Sequence, residues 1–176
     1  GEFRFSTKLT DIKTKDEKVV SITLNDKEII TCEVLVLAIG HSARDTFHLL
    51  DNVGLKMESK PFAVGVRVMH YQEMIDREQY QNKIKKAPYK LTYQTKEHRG
   101  VYSFCMCPGG YVLNATNLNN HLVVNGMSNY LRDSNTANSA IIVTVSKKDY
   151  GEDLFAGVTY QEELEKKAFK FGKGKI

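Results

Sequence analysis

Six consecutive apolar residues, Val34-Leu35-Val36-Leu37-Ala38-Ile39, constrain this 176-residue chain more than any other feature. A half-solvated strand alternates apolar and polar side chains. A run with no polar position suits a strand buried on both faces, as in a parallel sheet covered by helices. The run ends at Gly40. Ser42, with Asp45 three residues later, reads as the N-cap and short-acid capping box of a helix over 43–50, with Phe47 and Leu50 inward. Buried strand, glycine turn and capped helix together point free backbone N–H groups past the end of the strand. Anions bind at such junctions in many folds, although most such junctions bind nothing.

The flanking sequence predicts an α+β fold. Phe3–Leu9, Lys18–Leu24 and Glu28–Cys32 alternate and are separated by the polar turns Lys15-Asp16-Glu17 and Asn25-Asp26-Lys27, which predicts a three-stranded meander. Further on, strands are expected over 62–70, 90–95, 101–107, 111–115, 122–126 and 137–146. Helices are expected over 72–82 and 161–171, the second with Leu164, Ala168 and Phe171 on one face. Gly109-Gly110 reads as a tight turn between two strands, and Arg132-Asp133-Ser134-Asn135 as a polar loop. This second region therefore reads as β-rich, with a mostly antiparallel or mixed sheet and flanking helices.

Composition excludes several classes. Hydrophobic residues at 41% and charged residues at 26% are ordinary for a globular chain and argue against disorder. The net charge of +4 is too small to imply nucleic acid, and the lysine runs at 83–86 and 166–175 read as solvated faces. No apolar run approaches the roughly 20 residues of a membrane span, and Gly1-Glu2-Phe3-Arg4-Phe5 is no signal-peptide core. Cys32, Cys105 and Cys107 form no disulfide framework, which points to a reducing, cytoplasmic setting. A Walker loop, GxGxxG, HExxH and an EF-hand loop are all absent from these 176 residues.

A few residues carry candidate chemistry. Cys105 and Cys107 would share one face of a strand and read either as a redox pair or metal half-site, or as two small buried thiols beside the Pro108-Gly109-Gly110 turn. His41 follows Gly40, where a ligand could lie, or is a solvated loop histidine. Arg44 opposes the helix dipole in a first turn, a small cost that favours a role in anion binding. Arg67 interrupts the apolar strand Phe62-Ala63-Val64-Gly65-Val66-Arg67-Val68 and faces solvent or an anionic partner. His70, His98 and His121 carry no assignment.

The chain resembles a largely uncharacterised family of bacterial FAD-dependent dehydrogenases with a two-domain flavoprotein fold. Four groups of residues carry the likeness. They are Val36-Leu37-Ala38-Ile39-Gly40-His41-Ser42-Ala43-Arg44-Asp45-Thr46, the Lys60–Arg67 string, and the Gly100–Gly110 string containing Cys105-Met106-Cys107-Pro108. The fourth comprises Val124–Ser128, Arg132-Asp133-Ser134 and Ala137-Asn138-Ser139-Ala140. The resemblance implies an internal fragment that lacks an N-terminal GxGxxG. Residues 1–55 would belong to the FAD-binding domain, 56–158 to an inserted substrate-side domain, and 159–176 to a helix returning to the nucleotide domain. It also implies that Gly40, His41, Ser42, Ala43 and Arg44 lie near the cofactor, and that Arg67, Gly109 and Gly110 are substrate-side, with Cys105 and Cys107 as catalytic candidates. The implied activity is hydride transfer between FAD and a small-molecule substrate, with NAD(P)H as electron partner. The remaining FAD-binding domain would be supplied by the same parent chain. The alternatives are a non-catalytic ligand-binding or interaction module, and a thiol-redox or metal site at Cys105/Cys107. The fragment alone is expected to be inactive, and to self-associate through its exposed strand edges.

Overall fold

Paired left-handed residues set the first sheet of this chain, whose computed structural model describes residues 1–176. Asp16 and Glu17 both have positive φ, as do Asn25 and Asp26, which is the backbone that tight hairpins require. The turns join β1 (Leu9–Lys15), β2 (Lys18–Leu24) and β3 (Glu28–Thr31) into an antiparallel meander. Ile12 opposes Ile22, and Leu9 opposes Leu24. Ile12 and Leu24 are buried, as is Leu50 from α1 (Arg44–Asn52). These elements form one compact unit, Gly1–Glu58, and Ser59–Ile176 form another.

Three expectations for the first unit are corrected. The opening strand is 9–15 rather than 3–9, because six of the seven positions of β2 face residues 9–15. Phe3 and Phe5 therefore have no ladder to join, and each is nearly 90% exposed. The apolar run 34–39 is not a strand, and Val34 and Val36 are 79% and 80% exposed. A strand needs neighbours for its backbone groups and cover for both faces, and no strand of the chain pairs with this run. Ser42 is not the cap: α1 starts from Ala43 with no side-chain cap, and the Ser42 hydroxyl sits 3.3 Å from Nδ1 of His41.

The second unit is built on a long-range pair. β4 (Phe62–Tyr71) runs antiparallel to β9 (Thr136–Val145) over ten positions, from Phe62 opposite Val145 to Tyr71 opposite Thr136. β6 (Gly100–Cys107) flanks β9, and β5 (Thr92–Gln94) flanks β6, giving the order β4-β9-β6-β5. β7 (Gly110–Asn114) and β8 (Val124–Ser128) pair separately. The Pro108–Gly109 turn thus passes the chain from one sheet to another rather than closing a hairpin. α2 (Gln72–Tyr80) follows β4, while α3 (Lys147–Tyr150) and α4 (Ala156–Gly172) close the chain. α3 was not anticipated. It has a reciprocal capping box between Ser146 and Asp149. Phe62 stacks on Tyr150 at 5.2 Å, and Tyr160 of α4 completes the aromatic group beside buried Gly157.

Two further corrections belong here. Phe104 opposes Ala140 and Cys107 opposes Asn138, so β6 carries a bulge in which Cys105 adopts a φ of 45°. The bulge breaks the alternation, leaving Cys105 exposed and Cys107 half-buried rather than sharing one buried face. On α4, Leu164 and Ala168 are half-buried but Phe171 is 87% exposed. The helix end folds back over Phe169, whose carbonyl accepts from Gly174 N–H, and nothing covers Phe171.

Candidate functional site

Register places Arg67 and Asn138 side by side. Arg67 faces Ala140 and Met69 faces Asn138, so both polar residues project from one face of the β4–β9 pair. Arg67 Nη1 donates to Asn138 Oδ1 at 2.7 Å and to the Cys105 carbonyl at 3.1 Å, and lies 4.0 Å from Cys107 Sγ. None of the three partners is a carboxylate. The bulge has turned a β6 carbonyl towards the guanidinium, which a regular strand would have spent on its ladder. β8 passes close by. A Cβ built on Gly126 would lie 2.1 Å from Arg67 Nη1 and 2.2 Å from Asn138 Oδ1, so glycine leaves the room that the guanidinium occupies. Asn138 has no solvent exposure, and its Nδ2 has no acceptor.

A second polar group holds the Pro108–Gly109 turn. Gln72 Oε1 accepts from Gly109 N–H at 2.7 Å, and its Nε2 donates to Asp76 Oδ1 and to the Ala87 carbonyl. Asp76 also accepts from Ala87 N–H at 2.8 Å. Burial alone would raise the Asp76 carboxyl. The N–H of Ala87, the Gln72 amide, the N–H of Lys86 and the charge of Lys85 together outweigh burial and hold it below the usual carboxylate range. Gln72 and Asp76 border a cleft of about 570 Å³ with Lys85 and Lys86 on its rim. Gly110 begins β7 opposite Ser128, and its carbonyl accepts from Thr136.

On the other face of β4, His70 Nε2 lies 2.9 Å from the Tyr89 hydroxyl. Burial raises the Tyr89 phenol, while a hydrogen bond with Ser139 and the charge of Arg67 pull the other way.

The loop Gly40–Arg44 lies in the first unit. Gly40 has a φ of 69°, and nothing comes within 4 Å of its would-be Cβ. The N-terminus of α1 has no side-chain cap, and the Thr46 N–H donates to Asp45 Oδ1 at 2.9 Å. Asp45, in the first turn, pairs with Lys8 at 2.6 Å, and that contact holds its carboxyl low. Arg44 is 7% exposed and turned inward. The open space beside Gly40 leaves room for part of a dinucleotide against this loop.

The structure therefore brings Arg67, Cys105 and Cys107 together in one unit. It holds Gly109 and Gly110 in a neighbouring turn, and gathers Gly40 to Arg44 in the other unit. Sequence reasoning missed Asn138, Gly126, Gln72 and Asp76 as site residues. The available signal was Asn138-Ser139, a polar pair inside an otherwise apolar strand, since a carboxamide there must find partners. No three His, Cys, Asp or Glu side chains converge to hold a metal, and no helix is long and apolar enough to cross a membrane.

Comparison with known proteins gives two matches. The family described as FAD-dependent protein, C-terminal domain-like, matches residues 61–176. An uncharacterized protein of Clostridium beijerinckii is 50% identical over 181 aligned positions, covering 99% of this chain and 34% of that protein. The chain thus spans about a third of the length of the curated relative it matches.

Proposed function

Taking as premise that the chain belongs to the FAD-dependent protein family with this C-terminal domain-like region, we propose that it is part of an oxidoreductase of the dehydrogenase type. Residues 59–176 form its substrate-side wall, and the loop Gly40–Arg44 meets part of the cofactor. When bound, the flavin supplies hydride chemistry: two electrons and a hydrogen nucleus leave the substrate and the second proton goes to solvent, or the reverse. The chain's own residues bind and orient. Arg67, fixed by Asn138 and the Cys105 carbonyl, holds a polar group of the substrate. The Gln72–Asp76 network keeps the Gly109–Gly110 backbone in place beside it. A nicotinamide dinucleotide is the proposed electron partner, the rest of the flavin domain comes from a longer protein, and the setting is cytoplasmic.

The observation that carries this reading is the family match over the same residues that build the Arg67 site. The test is the visible spectrum of the full-length Clostridium beijerinckii relative and of this chain, each after incubation with FAD and desalting. Flavin is expected to stay with the longer protein and to leave this chain. A longer protein that stays colourless overturns the reading and favours a non-catalytic binding module.

One observation favours a second reading. Cys105 is exposed at a strained backbone position two residues from Cys107, whose sulfur lies 4.0 Å from a guanidinium. If the thiols carry the chemistry, replacing both with serine abolishes turnover. The flavin reading expects turnover to persist.

A further inference from the structure

We infer that Arg67 and Asn138 form a binding site for a carboxylate. The Arg67 guanidinium is half-buried, yet none of its partners is an acid. All its hydrogen bonds leave from Nη1. Nε and Nη2 make none, and neither is among the buried unpartnered atoms, so that edge is not fully enclosed. Nε and Nη2 form the planar fork that takes a carboxylate through two parallel hydrogen bonds. The protein thus grips the guanidinium by one corner and leaves its bidentate edge unused.

Asn138 supplies the second, independent observation. Donation by Nη1 fixes which atom of the carboxamide is oxygen, because the reverse orientation would set two donors against each other. Nδ2 is then a fully buried donor with no acceptor beside a cation with no counter-charge. An oxyanion at the Nε–Nη2 edge supplies the missing counter-charge, while the buried carboxamide of Asn138 acts by holding Nη1 so that this edge is presented. Gly126 completes the arrangement, since any side chain there would occupy the space of Nη1. Identifying the carboxylate as part of the substrate rests on the oxidoreductase reading. The site itself lies wholly within residues 59–176 and needs no flavin.

The test is a titration of this chain, labelled with nitrogen-15, following the arginine Nε–H resonances. The probes are sodium benzoate, neutral benzamide and inorganic phosphate at constant ionic strength. Benzoate is expected to shift one resonance saturably, and Arg67→Gln to remove that resonance. Benzamide is expected to shift nothing, and phosphate, whose oxygens also fit the fork, to shift the same resonance no more strongly than benzoate. Asn138→Asp places a carboxylate inside the site and should weaken benzoate at least tenfold. Arg67→Lys keeps the charge, loses the fork, and should do the same if the aspartate variant fails to fold. A site that responds only to phosphate, equal shifts from benzoate and benzamide, or unchanged benzoate binding in both Asn138→Asp and Arg67→Lys would overturn the proposal. A flavin-free longer protein with intact benzoate binding here would sink the oxidoreductase reading alone.

Discussion

Arg67 Nη1 and Asn138 Oδ1 sit 2.7 Å apart on one face of a two-strand ladder, and Gly126 on a different sheet leaves just enough space for that contact. Three strands distant in sequence thereby converge on one guanidinium. The contact makes Gly126 the sharpest probe of the site.

Gly126→Ala should disrupt the site more than the fold. The new Cβ meets both Arg67 Nη1 and the fully buried Asn138 Oδ1, so their contact must open, and a loss of about 2 kcal/mol is expected. Gly109→Ala meets the Arg132 backbone at 1.9 Å and also sits at a φ of 54°, so it should cost more, about 3 kcal/mol. Denaturant unfolding of both variants checks the order, and equal losses would contradict it.

Asp76→Asn should lower stability at neutral pH by about 2–3 kcal/mol, because an amide nitrogen replaces an acceptor of buried N–H donors. The carboxyl of Asp76 is held below its ordinary value in the fold. Its contribution is therefore complete above the unfolded value near pH 4 and is lost as pH falls through the folded value. The gap between wild type and Asp76→Asn should be constant from about pH 7 to 5 and should close below about pH 4. A gap that widens in acid would reverse the assignment.

Cys105 should react with iodoacetamide several times faster than Cys107, as judged by peptide mass spectrometry at short times. The bulge exposes the first and half-buries the second against Arg67. Equal rates would mean that the bulge opens in solution.

Val34 and Val36 form an exposed apolar pair in a segment with no ladder partner. Concentration-dependent association of this chain is expected in sedimentation, and Val34→Lys with Val36→Lys together should reduce it without changing the unfolding midpoint. Association that persists in the double variant would place the contact elsewhere.

Much of the architecture is legible locally. Turn residues with positive φ mark the meander, and the alternation of Lys18–Leu24 and the apolar run of Phe62–His70 mark β2 and β4 closely. What failed depended on partners. Phe3–Leu9 alternates correctly but only Leu9 finds a facing strand, and Val34–Ile39 has the composition of a doubly covered strand without neighbours or cover. The Cys105 bulge is invisible to period-2 reasoning because it is set by pairing with β9. The site was half legible. Arg67 stood out as a charge in an apolar strand, whereas Asn138 and Gly126 acquire meaning only when β8 and β9 are placed beside it.

The central claim is that this chain supplies one part of a flavin-dependent oxidoreductase. The most direct test is the visible absorption of the desalted, full-length Clostridium beijerinckii relative, recorded before and after anaerobic addition of NADH. A flavin band that co-purifies and bleaches is the predicted result. A protein that holds no flavin after saturating incubation would contradict the account.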